Sequence, residues 1–310
     1  MIVRKRHIPI FTAASDSMLP YLAATLQSIS EHAAEDCTYD VRILTSGLAP
    51  YNRRRLRHME LPGVDISIVD VNDRVVSYRA DIDVRLGSFY TEECFYPFLI
   101  ASMYSRIAKA LYVECGTVFR VDAATVFGIE IGEAVVAGFS YRDDNLIGFD
   151  TYVSRWVGVS PDKYIAPQLM LLNLNAMRKN RTAEKFKRLL TGYNFDTIYP
   201  AADYLNFLSK GCTTVLDKEW EKNGVRYAVT FSPYRQPWKY VNTSDAQEFW
   251  DMARKTAFYE DVRDEYLRFN EDKKKENEAL IYRINEHISS LEGVEGGFYA
   301  TLGENYLITK

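Results

Sequence analysis

The sequence places an apolar segment directly before a short polar turn in Lys109-Ala-Leu-Tyr-Val-Glu-Cys-Gly-Thr-Val-Phe-Arg-Val-Asp122. Residues 110–113 are typical of a buried strand, and the turn Glu114-Cys115-Gly116 separates them from a second apolar run that begins at Thr117. In open α/β sheets, ligands bind in the crevice beyond the carboxyl ends of the strands. The side chains of this turn are therefore expected to face a ligand.

Strands and helices alternate on both sides of this segment. Apolar periodicity predicts further strands at residues 8–14, 39–45, 64–71, 133–138, 168–174, 212–216 and 226–230, and helices at 19–29, 52–60, 98–108, 177–190, 201–210, 246–259 and 260–291. Pro167 is expected to bound the strand at 168–174, and residues 72–90 are expected to be irregular. The alternation predicts an α/β fold with a mostly parallel, helix-covered sheet. We expect one domain at residues 1–242, followed by a helical C-terminal extension and tail at 243–310.

Composition restricts the class of protein. The 310 residues include 38 Lys and Arg against 42 Asp and Glu, a formal net charge of -4, which disfavours nucleic acid as a partner. No stretch approaches the roughly 18 apolar residues of a membrane span. Cys37, Cys94, Cys115 and Cys212 form no C-x-x-C pair, so neither a zinc site nor a disulfide framework is indicated. We predict a cytoplasmic protein that is at most peripheral at the inner membrane face.

Six stretches together carry a resemblance to a known family: residues 10–16, 110–117, 164–178, 199–206, 231–238 and 249–259. In this order they resemble glycosyltransferase family 8, the galactosyltransferase- and glycogenin-like retaining enzymes that use nucleotide sugars. The resemblance implies a Rossmann-like sheet of the GT-A type over residues 8 to about 260. It also implies a donor cleft in which Mn²⁺ or Mg²⁺ holds the donor diphosphate through oxygen ligands.

Most of the family's metal and donor positions are substituted in this chain. The family's Asp-x-Asp corresponds to Glu114-Cys115-Gly116, and its metal-binding His corresponds to Thr230. A Gly and a Lys of the same family motif correspond to Pro233 and Gln236. A diphosphate facing one carboxylate and no cation would be left largely uncompensated, so we expect no bound Mn or Mg. The resemblance assigns the degenerate donor cleft to Ala13, Asp16, Glu114, Gly116, Arg235 and Gln236.

The positions that surround the sugar in the family are also altered. The family's Asn-Ala-Gly corresponds to Ala166-Pro167-Gln168, and its Asp-Gln-Asp corresponds to Ala201-Ala202-Asp203. Alanine can neither stabilise a developing positive charge nor accept a hydrogen bond through its side chain. Gln168 and Asp203 remain as the catalytic candidates. An Arg and an Asp that are usual elsewhere in the family appear as Pro97 and Ser15, although Asp16 remains.

Two functional hypotheses follow. The first is a non-catalytic family member in cell-surface glycan assembly, which binds a UDP-sugar or a glycan, associates with an active glycosyltransferase, or self-associates through its C-terminal helices. The second is a metal-independent hexosyltransferase that uses a UDP-sugar with retention. In it, Arg235 or Lys239 would neutralise phosphate, and Asp203, Glu114 or Gln168 would lie near the sugar.

Four further features have alternative interpretations. Asp143-Asp144 is either a displaced metal-binding pair or a solvated turn. Cys115 is either a nucleophile or inert packing, and no His lies nearby in sequence to activate it. The basic run Arg53, Arg54, Arg55 and Arg57 either grips anions or is a solvated helix face. Seven apolar residues in the region 260–291 form a candidate docking stripe: Tyr266, Leu267, Phe269, Leu280, Ile281, Ile284 and Ile288.

Overall fold

A computed structural model describes residues 5–76, 90–217, 221–222, 224–291, 293–303 and 306. The described strands are β1 Arg6–Ala13, β2 Cys37–Thr45, β3 Val64–Asp70, β4 Lys109–Val113, β5 Val118–Phe119, β6 Val136–Ser140, β7 Ile165–Asn173, β8 Thr213–Val215, β9 Glu221–Lys222, β10 Val225–Arg226 and β11 Ala228–Val229. The described α-helices are α1 Leu19–Glu31, α2 Pro50–Arg57, α3 Asn72–Val75, α4 Pro97–Met103, α5 Ala123–Phe127, α6 Phe149–Tyr152, α7 Leu174–Lys179, α8 Thr182–Gly192, α9 Pro200–Leu208, α10 Ala246–Ala253, α11 Tyr259–Arg268, α12 Glu271–Leu291 and α13 Gly297–Leu302.

A seven-stranded mixed sheet forms the centre of the molecule, in the order β3-β2-β1-β4-β7-β6-β8. β1 pairs in parallel with β2 and β4, while β7 runs antiparallel to both β4 and β6. Side chains of β4 alternate between two hydrophobic clusters, with Tyr112 in one and Leu111 and Val113 in the other. Both faces of the sheet are therefore covered, as expected for an α/β fold. The GT-A type of sheet implied by the sequence is confirmed.

The prediction that Pro167 bounds the seventh strand was wrong, because β7 begins at Ile165 and runs through the proline. A proline cannot donate to the ladder, and it is tolerated here beside an irregularity, since the pairing with β6 shifts register between Gly138 and Ser140. The amide of Glu114 donates to the carbonyl of Gln168 at 2.8 Å, one residue beyond β4. The edge of the sheet therefore carries both Glu114 and Gln168.

Two predicted long helices are each broken into two. Arg181 adopts a φ of 53°, in the left-handed region, between α7 and α8. Phe269 leaves the helical range between α11 and α12, and the Asn270 side chain accepts from the amide of Lys273 at 3.1 Å as an N-terminal cap. The helix predicted at 246–259 ends at Ala253. Residues 72–75 form α3 where irregular structure was expected, and residues 77–89 of that prediction lie outside the described residues.

The basic helix α2 is attached to the C-terminal helices. Arg55 forms an ion pair with Asp261, and its guanidinium lies 3.8 Å from the centroid of the Phe258 ring. Arg53 donates to the carbonyl of Leu48 at 2.9 Å. The interpretation of the whole run as a solvated face is therefore wrong for these two arginines.

Residues after 242 pack against the preceding part of the chain. α10 contributes Phe249, Trp250 and Ala253 to a hydrophobic cluster that also includes Ala24 of α1. At the C-terminus, Phe298 is buried and stacks with Phe195 at 4.1 Å between ring centroids. The apolar tail, as far as it is described, thus belongs to the core of the same chain.

Some residues of the candidate docking stripe are buried in the same chain, and others are exposed. Ile288 is buried, and Ile281 and Ile284 pack against the core, whereas Leu267 is 62% exposed. Among the described residues, no helix is both long and apolar enough to cross a membrane.

Candidate functional site

A cavity of about 490 Å³ lies at the edge of the sheet where β1 and β4 end. Its walls come from Ala13 at the end of β1, the turn 114–117 after β4, Gln168 on β7, the start of α9, the loop 231–239 and α11. The volume is within the range of small-molecule sites in proteins. The turn singled out from the sequence therefore faces a cavity, as its position after β4 predicted.

Glu114 is partly buried on the cavity wall, and its carboxylate accepts no hydrogen bond from the described residues. Burial raises its pKa from 4.5 to about 7, because the ionised form loses hydration without gaining a counter-charge. A ligand that supplies a positive charge or hydrogen-bond donors would relieve this cost.

Gly116 lies directly beneath the indole of Trp238. Its φ of +94° is in the left-handed region, and a Cβ atom placed on it would lie 2.7 Å and 2.9 Å from two atoms of the indole. Trp238 is held there by Tyr21, whose ring stacks on it at 3.8 Å with an interplanar angle of 12°. The space that a side chain at position 116 would need is therefore occupied by an aromatic ring.

Two further polar residues face the cavity from buried positions. Gln168 is 8% exposed, and its carbonyl oxygen Oε1 has no hydrogen-bond partner among the described residues. Glu93 lies in a short 3₁₀ segment, Glu92–Phe95, and is 4% exposed. The sequence analysis included Gln168 and missed Glu93. No local pattern pointed to Glu93, because its segment reaches the cavity only through the fold.

Asp143 is buried at the centre of a hydrogen-bond network next to the cavity. One carboxylate oxygen, Oδ2, accepts from Tyr141 at 2.6 Å, from Ser232 at 2.9 Å and from Tyr199 at 3.0 Å. Both interpretations of Asp143-Asp144 as a pair, metal-binding or solvated, are therefore wrong for Asp143. Its carboxylate instead ties the loop after β6 to the loop that contains Trp238.

Asp203 is fully buried and accepts hydrogen bonds from the hydroxyls of Tyr152 at 2.5 Å and Tyr164 at 2.7 Å and from the amide of Tyr199 at 3.1 Å. Burial raises its pKa to about 7, although the hydrogen bonds act in the opposite direction. Asp203 does not line the cavity.

The other predicted site residues are divided between the cavity and its surroundings. Ala13, Glu114, Gly116 and Gln236 line the cavity together with Gln168, whereas Asp16, Thr230 and Arg235 do not. Asp16 accepts hydrogen bonds from the amide of Ala49 and from Asn52 Nδ2 and so caps α2. Arg235 is exposed, with its guanidinium 5.0 Å from the centroid of the Tyr240 ring.

Cys115 lines the cavity, but its surroundings disfavour a nucleophile. Burial raises the pKa of the thiol to about 12, and Sγ lies 3.4 Å from the carbonyl oxygen of Ala13. A nucleophilic cysteine needs an accessible thiolate. The inert interpretation of this residue therefore fits the geometry.

The mouth of the cavity carries charges of both signs. α11 contributes Asp261, Glu265 and Arg268, and the loop 231–239 contributes Lys239. Burial lowers the pKa of the Lys239 ammonium, and Glu265 acts in the opposite direction. Part of the C-terminal extension thus forms a wall of the site, which the sequence analysis did not anticipate.

The comparisons with known proteins agree with this geometry. The family model for Glycosyl transferase family 8 matches residues 9–242, which is more than half of the chain. The chain belongs to glycosyltransferase family 8. A comparison with curated protein sequences finds no match.

Solved structures of glycosyltransferases share the fold at low sequence identity. The bifunctional glycosyltransferase WbbM matches with a TM-score of 0.69 and 17% identity over 84% of this chain and 52% of its own, so this chain spans about half of WbbM. The galactosyltransferase LgtC, in complex with donor and acceptor sugar analogs, matches with a TM-score of 0.64 and 14% identity over 81% and 96%. GlyE of Streptococcus pneumoniae matches with a TM-score of 0.58 and 12% identity over 85% and 64%.

The residues at the positions that the resemblance assigned to a metal do not fit Mn²⁺ or Mg²⁺. Hard divalent cations require several oxygen ligands, and of the three positions that the resemblance assigned to the metal only Glu114 brings a carboxylate to the cavity, because Thr230 lies outside the lining. The third position, Gly116, has no side chain and no room for one beneath Trp238. Among the described residues, no group of three or more His, Cys, Asp or Glu is arranged to hold a metal ion.

Proposed function

We propose that this chain is a non-catalytic glycosyltransferase family 8 protein that acts as a binding or partner subunit in the assembly of cell-surface glycans. The observation that carries the proposal is the indole of Trp238 over Gly116. It occupies the space that a second metal-binding carboxylate would need. Without that carboxylate, the divalent ion that would neutralise a donor diphosphate has one acidic ligand position left.

The charge of the cavity supports the same conclusion. Glu93, Glu114, Asp261 and Glu265 line it against Lys239 and Arg268, so the described lining is formally net negative when all six are ionised. A diphosphate brings at least two further negative charges. Binding such an anion next to carboxylates in a partly dehydrated cavity is strongly unfavourable, because like charges repel more strongly where water is excluded.

Thermal unfolding in the presence of nucleotide and metal tests the proposal. A ligand that binds only the native state at 100 times its Kd stabilises it by about 2.7 kcal/mol, which is seen as a raised melting temperature. We expect UDP, UDP-galactose and UDP-glucose with Mn²⁺ to leave the melting temperature at the value measured with Mn²⁺ alone. A rise of several degrees that requires both the nucleotide and Mn²⁺ would contradict the proposal.

The binding-partner role has its own test. We propose that the exposed side chains of the C-terminal helices, including Leu267 and Tyr282, contact a second copy or an active glycosyltransferase. Light scattering with size-exclusion chromatography should detect a dimer if the partner is a second copy, and Leu267→Asp should dissociate it. A monomer at all concentrations would leave the active transferase as the partner, to be tested by co-purification with and without Leu267→Asp.

The second candidate, a metal-independent transferase, is favoured by one observation. Lys239 lines the cavity, and its ammonium, 5.9 Å from the centroid of the Phe269 ring, is the cation of the loop 231–239 that could meet a phosphate there. This candidate predicts release of UDP from a UDP-sugar in EDTA, which Lys239→Ala should abolish and Arg235→Ala should leave unchanged. Absence of UDP release from the unaltered protein would eliminate it.

The cytoplasmic location remains part of the proposal. A glycan-assembly subunit of this kind would work at the inner face of the membrane. Fractionation of cells into cytosol and membrane, before and after a salt wash, tests this. A protein that stays in the membrane fraction after the salt wash and is released only by detergent would contradict a peripheral location.

A further inference from the structure

A second cavity, the α10–α11 cavity, has a volume of about 350 Å³. Its described lining shares no residue with the first cavity, and its side chains come from α10, from the residue that follows α10 and from α11. The volume is within the range of small-molecule sites in proteins. Three aromatic side chains, two arginines and one leucine make up most of its lining: Trp250, Tyr259, Tyr266, Arg254, Arg263 and Leu267.

The aromatic side chains form a fixed apolar surface in this cavity. Trp250 is 8% exposed, and its Nε1 atom donates to the carbonyl of Pro237 at 3.1 Å, which fixes the orientation of the indole. The rings of Tyr259 and Tyr266 lie at 85° and 82° to the indole, with centroid distances of 6.4 Å and 5.8 Å. Both tyrosines are only half-buried, so the protein leaves part of each ring uncovered.

The polar side chains of the lining are mostly hydrogen-bond donors. Arg254 and Arg263 line the cavity, and among its described lining residues there is no Asp or Glu. A guanidinium has five N–H donors and no acceptor, whereas a sugar hydroxyl both donates and accepts. A carboxylate or a phosphate only accepts, so an anionic group matches this lining better than hydroxyls alone do.

Both guanidiniums keep donors available for a ligand. Arg254 pairs with Asp251 at 2.6 Å and Arg263 pairs with Glu260 at 2.8 Å, in each case through Nη1 and along the chain at i,i+3. These four side chains are 48% to 69% exposed, and ion pairs so open to water contribute little to stability. The Nε and Nη2 atoms of both arginines have no partner among the described residues, so each guanidinium can bind an anion without giving up its present pair.

We propose that the α10–α11 cavity binds a sugar unit that carries an anionic group, either a carboxylate or a phosphate. Arg263 follows Tyr259 by four residues and precedes Tyr266 by three, so the three side chains share one face of α11. The C–H face of the sugar ring packs against the tyrosine rings, and the anionic group accepts hydrogen bonds from Nε and Nη2 of Arg263. The inference goes beyond the proposed function, because this site is separate from the donor cleft.

An anionic membrane surface fits this region less well than an acidic sugar. Binding to a bilayer surface buries an exposed apolar face among the lipids, whereas Trp250 is already covered by protein and the tyrosine rings line a concave surface. Leu267, which is 62% exposed, is also one of the side chains proposed to contact a partner protein. A partner and an acidic sugar would therefore compete for this region.

Three glycosides that differ only at carbon 6 test the proposal by ligand-observed NMR titration of the full chain at neutral pH. Methyl β-glucoside has a hydroxyl at this carbon, methyl β-glucuronide replaces the carbon by a carboxylate, and the third compound is the 6-phosphate of the glucoside. We expect both acidic glycosides to bind about fivefold more tightly than the neutral one, the gain expected of an exposed ion pair. Because salt screens exposed charges, about 0.5 M NaCl should reduce this preference.

Two changes in the cavity separate the two parts of the site. Arg263→Gln should remove the preference and bring the acidic glycosides to the Kd of the neutral one. Tyr266→Leu should weaken all three glycosides by a similar factor and leave the preference intact. Circular dichroism checks that each variant is folded, and Tyr259→Leu provides a second change of an aromatic ring.

A matched variant controls for overall charge. Arg283 of α12 is exposed and does not line the cavity, so Arg283→Gln removes the same charge elsewhere. It should change the Kd of the acidic glycosides by less than about twofold, because charges at a distance are screened. Equal effects of Arg263→Gln and Arg283→Gln would overturn the assignment of the anion to this cavity.

Other results would also overturn the proposal. These are equal Kd values for the three glycosides, no binding of any of them, and binding of acetate or inorganic phosphate as tight as that of the acidic glycosides. Sedimentation with phosphatidylglycerol vesicles, lost in Arg263→Gln and without binding of the glycosides, would assign the surface to a membrane instead. None of these results affects the proposal that the chain is non-catalytic, which fails only if UDP and Mn²⁺ together raise the melting temperature.

Discussion

The contact between Gly116 and Trp238 leads to a prediction about restoring the family motif. Gly116→Asp would reintroduce the second carboxylate of Asp-x-Asp, yet we expect it to destabilise the protein without creating a metal site. A non-glycine residue at the φ of +94° costs roughly 1 to 3 kcal/mol. A side chain whose first carbon would lie 2.7 Å from the indole must also move Trp238.

The size of the second effect follows from the packing of Trp238. Its indole is 5% exposed, stacks on Tyr21 and lies 5.1 Å from Phe249 between ring centroids. Overpacking of such a site costs about 1 to 3 kcal/mol when neighbours can adjust, and more if the indole is expelled. We therefore expect Gly116→Asp to lower the free energy of unfolding by about 3 to 5 kcal/mol.

Urea unfolding followed by far-ultraviolet circular dichroism measures this loss without relying on tryptophan fluorescence. Gly211 provides the matched control, because its φ of +76° is also left-handed but a Cβ there meets nothing within 4 Å. Gly211→Asp should therefore lose only the backbone cost of roughly 1 to 3 kcal/mol. Gly116→Ala, which adds the Cβ alone, extends the comparison if the aspartate variant does not fold.

A double-mutant cycle isolates the contact itself. Trp238→Leu removes the indole, so Gly116→Ala should cost about 1 to 3 kcal/mol less in that background than in the unaltered protein. Equal costs of alanine at 116 and 211, or additive effects of the 116 and 238 changes, would refute the steric argument. A gain of Mn²⁺-dependent UDP binding in Gly116→Asp would refute the wider conclusion that this site cannot be rebuilt by one carboxylate.

Three further predictions concern buried groups. The pKa of Glu114 is about 7 in the folded state against 4.5 ordinarily, so ionisation of this carboxyl destabilises the folded protein as the pH rises from about 4.5 to 7. Glu114→Gln cannot ionise, so in urea unfolding its free energy of unfolding should increase relative to that of the unaltered protein by up to about 3 kcal/mol across this interval. A difference in free energy of unfolding that stays constant with pH would contradict the prediction. Asp203→Ala leaves the hydroxyls of Tyr152 and Tyr164 without their acceptor and should cost about 3 kcal/mol or more, measured by thermal unfolding, whereas Glu130→Gln should have no effect. Phe298→Ala should cost about 3 to 5 kcal/mol in the same assay because the ring is fully buried between other aromatic rings; an unchanged melting temperature would mean that the tail does not stabilise the core.

The relation between α11 and the cavity changes how the C-terminal extension is understood. The sequence predicted a helical C-terminal extension and tail at residues 243–310, with a candidate docking stripe in the region 260–291, and the division of the chain at position 242 stays a prediction. In the structure, Asp261, Glu265 and Arg268 of α11 line the mouth of the cavity, and Arg55 of α2 pairs with Asp261. A partner bound to these helices would therefore lie next to the mouth of the site.

Short-range patterns in the sequence determined the alternation of strands and helices, the turn after β4 and the family. Alternation and helical spacing report which side chains must be buried, and burial of apolar surface drives folding. The residues Glu114, Gly116, Thr230 and Gln236 can be read directly from the sequence, and their correspondence to the family's carboxylates, histidine and lysine stays a prediction. The breaks at Arg181 and Phe269 were missed, since apolar spacing continues across both and only the backbone angles mark the ends.

The tertiary structure alone decided what surrounds each of these residues. Trp238 covers Gly116 although 122 positions separate them, and Glu93 lines the same cavity as Glu114 from a segment with no recognisable motif. Asp143 and Asp203 look like site carboxylates in the sequence, yet tyrosine hydroxyls and backbone amides satisfy them away from the cavity lining. The physical reason is that solvation, hydrogen bonding and steric fit depend on which distant segments the chain brings together, whereas periodicity reports only whether a residue is buried.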